Sequence, residues 1–468
     1  MRKKAWQIDR EIRLSAIPLD RRKYPSHWEE TSQSFPQGDE LMLLFWDAKV
    51  PGSGAPECVY VEMAESMANK GFDVSHAEEF LPKGMELAAK KDIPRLRVLT
   101  AEFLEALFNA PLDPISPYHT FRHPLEWDEI VIELGNTAST SSQLKLPRLG
   151  ERIYHGWLGQ LAGASFGTAI EGYHGTRLRE VYGEINDYII PPETMNDDVV
   201  YELVFLDALE SWGNNLTARQ IALEWLHQIP FGWSAEWIAL QNLRQGMFPP
   251  ESGSFRNPFS DWIGAQMRGM ICGMVAPAAP LLAARLAFED ARISHSANGI
   301  YGEIYAAVLT SLAFQEKELP ALIKKAAAYV PQQSEYAAVL QECIALFQTT
   351  SSPSTAWQQL DQRFEQYNWI HAYPNIAAVL TALWYGEGDM TRSFALLAEA
   401  GLDVDCNGGL VGNILGVMFG VPTCWAEPLG DTLETYLPSH PLLSIRSLAA
   451  RTEKLAQLVL SANEKIKQ

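Results

Sequence analysis

Cysteine is scarce in this chain, and the five present, Cys58, Cys272, Cys343, Cys406 and Cys424, are scattered and include no CxxC pair. A reduced, intracellular and cytoplasmic setting is the expectation. Basic charge is short as well: 37 Lys and Arg stand against 57 Asp and Glu, a formal net charge of −20. Binding a nucleic-acid backbone needs clustered Lys and Arg, so nucleic acid is not the expected partner. The basic start "MRKKAWQIDREIRL" has no apolar core behind it and does not read as a signal peptide. No fixed-period repeat is visible, which disfavours a solenoid. Only the uncharged run from Cys406 to Ala426 has the length of a membrane span, and Asn407, Asn413, its glycines and Pro422 dilute it. It is expected to be a buried helix of a soluble protein, with no membrane partner.

At 468 residues and 52.3 kDa, the chain calls for one large domain with an appendage, or for two domains. "GNTASTSSQLKLP", Gly135 to Pro147, is polar, small and aperiodic, and marks a linker. The expected division is therefore an accessory domain over 1–145 and a helical domain over 146–468. Short apolar runs such as "LMLLFW" (41–46) and "EIVIEL" (129–134), with helical patterns near 77–110, give the first part a mixed α/β reading. After the linker, helical spacing covers 153–170, 197–213, 217–228, 262–273, 279–291, 299–315, 317–329, 334–348, 373–386, 390–400, 408–419 and 441–463. The fold class is mainly α, with "QTTSSPSTAW" (348–357) expected as a solvent loop.

Two features stand out within the helical part. Glycine recurs at 408, 412, 416 and 420, and again at 156, 159, 163 and 167, so two helices each present a smooth face that lets another backbone approach closely. Paired acids precede two apolar helices: Asp197 and Asp198 before "VVYELVFLDAL", Asp403 and Asp405 before the second glycine run. One acid at a helix start is ordinarily a cap. Four brought together near a core repel unless a cation neutralises them, and oxygen-only ligands suit Mg²⁺, Mn²⁺ or Ca²⁺.

Three segments in order carry a family resemblance: "GWLGQLAGASFGTAIEG" (156–172), "MNDDV" (195–199) and "DVDCNGG" (403–409). They resemble the opening glycine helix with its glutamate, the Thr-Asp-Asp-Thr motif and the Asp-x-Asp-Thr/Ser motif of the ADP-ribosylglycohydrolases. The resemblance runs from Arg152 to Pro422. It implies an orthogonal all-α bundle holding two Mg²⁺, with Mn²⁺ as the alternative. The implied activity is hydrolysis of a glycosidic bond between ADP-ribose and a protein side chain or a small ribosyl compound.

Carried over by position, the metal ligands are Asn196, Asp197, Asp198, Asp403, Asp405 and Cys406, with Glu171 beside them, and Glu171 and Asp405 are the catalytic candidates. Asn196 and Cys406 replace hydroxyl residues, and a thiol is a poor partner for Mg²⁺. His295, Asn298, Gly299 and Glu303, in "SHSANGIYGE", are expected to touch substrate. Asp261, Trp262 and Arg268 are candidates to line the cleft. Trp233, Trp262 and Tyr301 are read as core packing before stacking surfaces. Two other readings stay open: a hydrolase of nucleosides or other small glycosides on the same scaffold, and a catalytically silent binding or structural protein.

Overall fold

The structure, a computed structural model, describes residues 5–15, 17, 23, 38–135 and 146–466. Two compact units divide the chain, Met1–Leu44 and Phe45–Gln468. The first contains the helix Ala5–Ser15 and the start of the helix Asp39–Trp46. The second is built of helices, and its named strands among the described residues form two short antiparallel pairs, Ala48–Lys49 with Pro56–Glu57 and Leu433–Glu434 with Leu442–Leu443. The fold is mainly α.

At its centre lie the two glycine helices, Leu149–Gly167 and Val404–Phe419, both buried over most of their length. A methyl group at Gly159 would fall on the carbonyl of Gly412, one at Gly163 on the carbonyl of Gly408, and one at Gly167 on the backbone of Asp405. Each glycine lowers intrinsic helix propensity by about 1 kcal/mol relative to Ala. Backbone contact along the whole seam, which no larger residue permits, offsets that cost.

Most other helices fall where the apolar spacing puts them, including Asp198–Trp212, Asn298–Ala313, Ala372–Gly386 and Met390–Ala400. The exceptions have local causes. Half of the 348–357 loop is instead the start of the helix Pro353–Arg363, because Ser352 accepts from Thr355 N–H as its cap and Pro353 fits the first turn. The 262–273 segment is broken into a 3₁₀ turn, Gln266–Arg268, and a helix, Met270–Val275. Here the Arg268 guanidinium takes the Gly264 carbonyl (2.9 Å), the acceptor that a continuous helix would give to the Arg268 N–H. "LMLLFW" and "EIVIEL" are both helical, in Asp39–Trp46 and Trp127–Glu133, since short apolar runs do not separate strand from buried helix.

Residues 45–135 gather round Trp46, Tyr60 and Phe103, with Trp46 Nε1 donating to Thr100 Oγ1 at 2.9 Å. They are bonded to the helical body as well. Lys70 Nζ donates to Asn257 O and Ser260 Oγ, both at 2.9 Å, and Tyr301 Oη donates to Pro124 O at 2.7 Å. Of the expected linker, Gly135 to Pro147, residues 136–145 lie outside the described residues; the residues on either side belong to the same compact unit. Among the described residues, no helix is long and apolar enough to cross a membrane.

Candidate active site

The glycine seam builds the site. Because Gly167 packs on the backbone of Asp405, the end of the first helix meets the start of the second. The turn after Gly167 carries Glu171, whose N–H donates back to Gly167 O at 3.0 Å, and the Gly172 N–H donates to Leu402 O at 2.9 Å. The turn is thereby stitched to the residue preceding Asp403. Asp403 caps the second helix by accepting from Cys406 N–H at 3.2 Å, and Asp405 Oδ1 accepts the same N–H at 3.0 Å. Capping explains Asp403 locally, but not why four further acids of the site gather beside it.

The helix Asp198–Trp212 supplies the third side. Asp198 is buried and accepts from the Cys406 thiol at 3.1 Å and from Asn196 Nδ2 at 3.3 Å. Asn196 Oδ1 is buried and finds no donor among the described residues. Glu171, Asn196, Asp197, Asp403, Asp405 and Cys406 all line one cavity of about 320 Å³. Asp198 stands directly behind it.

No Lys, Arg or His lines this cavity among the described residues. Burial first, then mutual repulsion, raises the acids. Glu171 is pushed well above the ordinary carboxylate range by burial and by Asp405 and Asp403, Asp403 by burial and Asp405, and Asp198 by burial, Asp405 and Asp197. Asp197 is pushed up to about 6 by burial and Asp405. Burial followed by Asp198 raises the Cys406 thiol, which therefore stays protonated and donates. One ligand atom from each of Asp403, Asp405 and Cys406 lies within 4.8 Å of the others. Carboxylates at that spacing, with an idle amide oxygen nearby, fit a hard divalent ion; the neutral thiol does not.

His295, Asn298, Gly299 and Glu303 are not brought to the cavity lining. His295, Asn298 and Glu303 are at most 1% exposed and serve the interior. Arg268 is the reason. It donates to Asp290 Oδ2, to Glu236 Oε1 (2.7 Å) and to Ser294 Oγ (2.9 Å), and pairs with Glu303 at 3.8 Å. His295 shares a 2.8 Å bond with Ser294 Oγ and accepts from Ala265 N–H; burial and Arg268 keep it neutral. Asn298 Oδ1 accepts from Tyr336 N–H. Gly299 lets its helix pack on Ser260 O, which a methyl would strike. Asp261, Trp262 and Arg268 are likewise interior, and their neighbours Ile263, Gly264 and Met267 face the cavity instead. Tyr301 packs inside, as expected of it, whereas Trp233 lines the cavity.

Several lining residues had no motif to announce them: Glu236, Trp369, and Val50 to Gly52 from the first hairpin. Glu236 carried a faint signal, being the lone charge between Glu224 and Arg244, as Arg268 is between Asp261 and Arg285. Two lone charges of opposite sign in apolar surroundings have reason to pair. Burial, opposed by Arg268, pushes Glu236 up to about 7.

An uncharacterized protein of Archaeoglobus fulgidus is 23% identical over 304 residues, covering 58% of this chain and 90% of that protein. A solved ADP-ribosylglycohydrolase-related protein complex is 18% identical over 67% of this chain and 100% of its own, with a TM-score of 0.47. The description of the ADP-ribosylglycohydrolase family matches residues 145–461, which holds every acid of the cluster, and the chain belongs to that family.

Proposed function

We propose that this protein is a divalent-cation-dependent glycohydrolase that cleaves the bond between C1 of a ribosyl group, ADP-ribose or a close relative, and its aglycone. One observation carries the reading: Glu171, Asp197, Asp403 and Asp405, backed by Asp198 through Cys406, line a cavity whose described lining holds no basic side chain. Glu171, Asp197, Asp403 and Asp405, with Asn196 Oδ1, would hold Mg²⁺ or Mn²⁺, while Asp198 is engaged by the Cys406 thiol. When bound, such a cation supplies neutralisation of these acids and a template for two vicinal ribose hydroxyls.

The chain's own residues carry the rest. Asp405 accepts a hydrogen bond from protonated Glu171 in the acid-only state, and ionised Glu171 is the base that takes a proton from the attacking water. As the C1–aglycone bond breaks, the ring gains oxocarbenium character that the surrounding carboxylates favour. Glu236, held by Arg268 and protonated over half its titration near neutrality, lines the cavity and gives its proton to the departing group. Water oxygen ends on C1, and the aglycone leaves protonated.

A second reading, hydrolysis of a small ribosyl compound in place of an ADP-ribosylated protein, is favoured by the cavity's size. Its volume of about 320 Å³ sits at the lower end of the roughly 300–1,000 Å³ usual for ligand pockets. The test is release of ADP-ribose from an ADP-ribosylated protein, and of ribose from nucleosides, with Mg²⁺ and with EDTA. Activity is expected with Mg²⁺ alone, and Glu171→Gln should lower kcat by about 10²-fold or more. Equal turnover in EDTA, or in the glutamine variant, would overturn the reading.

A further inference from the structure

The family match begins at residue 145, yet one wall of the cavity comes from Val50, Pro51 and Gly52. These three sit at the tip of the hairpin Ala48–Glu57, closed by Val50 N–H to Ala55 O and Gly54 N–H to Val50 O, both at 2.9 Å. Gly52 has φ +85°, and a side chain there would strike Thr168 on the turn that carries Glu171. From the other side of that turn, a methyl on Gly172 would lie 2.9 Å from Ala55 Cβ and 3.5 Å from the Trp369 ring. Tyr173 Oη also donates to Ser53 O at 3.3 Å. The hairpin and Trp369 therefore both pack against the turn that carries Glu171.

The same segment fixes two indoles. Trp369 Nε1 donates to Glu62 Oε1 at 3.4 Å, and the Glu57 carboxyl lies beside the Trp233 indole. Both tryptophans line the cavity, and the polar edge of Trp369 is turned back into the protein by its bond to Glu62. Glu57 and Glu62 are 6% and 7% exposed, and each retains a buried oxygen, Oε2, with no hydrogen-bond partner among the described residues. Burying two neighbouring carboxyls is costly, so their placement calls for a return that packing alone does not give. Phe231, 54% exposed, and Tyr436 stack at 4.5 Å on the cavity's lining as well. The cavity thus combines buried acids, Glu171, Asp403 and Asp405, with aromatic residues, of which Phe231 is exposed.

We infer that the segment from Ala48 to Glu62 is a selectivity wall: it holds Trp369 and Trp233 as a stacking surface for a planar heteroaromatic ring carried by the ribosyl ligand. This rests on the reading of the cavity as a ribosyl site. Glu57 and Glu62 are positioning residues that act through the indoles. The ring has two sources, the distal adenine of ADP-ribose or a base at the anomeric carbon of a nucleoside.

The test is calorimetric titration of the full chain in Mg²⁺ with ADP-ribose, adenosine and the ring-free comparator ribose 5-phosphate. A ring-bearing ligand should bind about tenfold tighter than ribose 5-phosphate, the scale of one base stacked on an aromatic side chain. Glu62→Ala and Trp369→Leu should each bring that ratio close to one and leave ribose 5-phosphate within about twofold of its parent value. Glu62→Gln, which keeps an acceptor for the indole, should restore the ratio. Loss of preference for ADP-ribose assigns the ring to the distal adenine; loss for adenosine alone assigns it to the anomeric position. A folded Glu62→Ala or Trp369→Leu protein that keeps the parent's ratio overturns the wall, as does an equal loss for all three ligands. If ribose 5-phosphate binds and the ratio is already one in the parent, the wall falls and the ribosyl reading stands. If none of the three binds the parent, the ribosyl reading falls and takes the wall with it.

Discussion

Two acid clusters are buried in this fold, and they solve the same problem in opposite ways. Around Arg268, the carboxyls of Glu236, Asp290 and Glu303 meet a guanidinium that also lies 5.0 Å over the Trp225 ring. Burial pulls that guanidinium down, and the three carboxyls together more than reverse the effect. Around Asp405, Glu171, Asp197, Asp198 and Asp403 meet no Lys, Arg or His among the described residues that line the cavity. The first cluster carries its counter-charge within the sequence, as a structural core does. The second has no such counter-charge among the described residues of the cavity lining, and in the proposed reading a bound ion supplies it.

Removing the internal cation is the most severe way to break the comparison. Arg268→Met leaves three buried carboxyls unpaired and should cost about 3–5 kcal/mol of stability, read by urea unfolding. Mg²⁺ should not rescue it, because the lost charge lies in the other cluster. A cost below about 1 kcal/mol would mean that the network is not held by its charge.

The cation-free cluster should show the opposite sign. Without metal, Asp405→Asn removes a repelling charge from Glu171, Asp403 and Asp198, and should raise stability near neutral pH by about 1 kcal/mol. In the parent protein, Mg²⁺ at a hundredfold excess over its Kd should add about 2.7 kcal/mol, and the asparagine variant should lose most of that gain. The pH dependence follows from the raised pKa values. Folded Glu171, Asp198 and Asp403 keep protons that the unfolded chain releases in the range of 3.8 to 4.5. Their contribution is fully present below that range and is lost as pH rises through the raised folded values. Thermal melting without metal should therefore fall as pH rises from about 5 through neutrality, and saturating Mg²⁺ should flatten the fall. A melting temperature that rises over this interval, with or without metal, would show the acids to be paired already.

How much of this was legible in the sequence differs between the clusters for a physical reason. The Asp405 cluster was readable because its acids sit at helix starts beside a four-residue glycine spacing, and both are local patterns. The spacing forces two backbones together, and contact at Gly167 delivers Glu171 to Asp405. The Arg268 cluster joins residues from four separate segments, so His295 and Glu303 could be taken for a substrate loop when Glu303 pairs with Arg268 and His295 bonds Ser294 and the Ala265 N–H. The hairpin wall was invisible for the same reason: Val50 to Gly52 carry no chemistry of their own and matter only through what they press against. Helix content came through well; the break at Gln266–Arg268 did not, because a side chain and not the backbone pattern causes it.

The subtlest test lies at Cys406, inside the cation-free cluster. Its thiol, kept neutral by burial and by Asp198, donates to Asp198 Oδ1 at 3.1 Å and rests 3.7 Å from Met267 Sδ. In that role it is a small substitute for an internal cation: it satisfies one carboxylate by hydrogen bonding and offers a poor ligand to Mg²⁺. A hydroxyl would do both jobs, donating to Asp198 while presenting a hard lone pair to the ion. Cys406→Thr, close in volume and equally able to fill the space beside Met267, should keep the fold and tighten Mg²⁺ binding by about tenfold, or about 1.4 kcal/mol. Titration calorimetry on parent and variant reads the difference directly. Unchanged or weaker Mg²⁺ binding in the threonine protein would show that the ion is held by carboxylates and water without this position, and that the cysteine belongs to the packing around Asp198 alone.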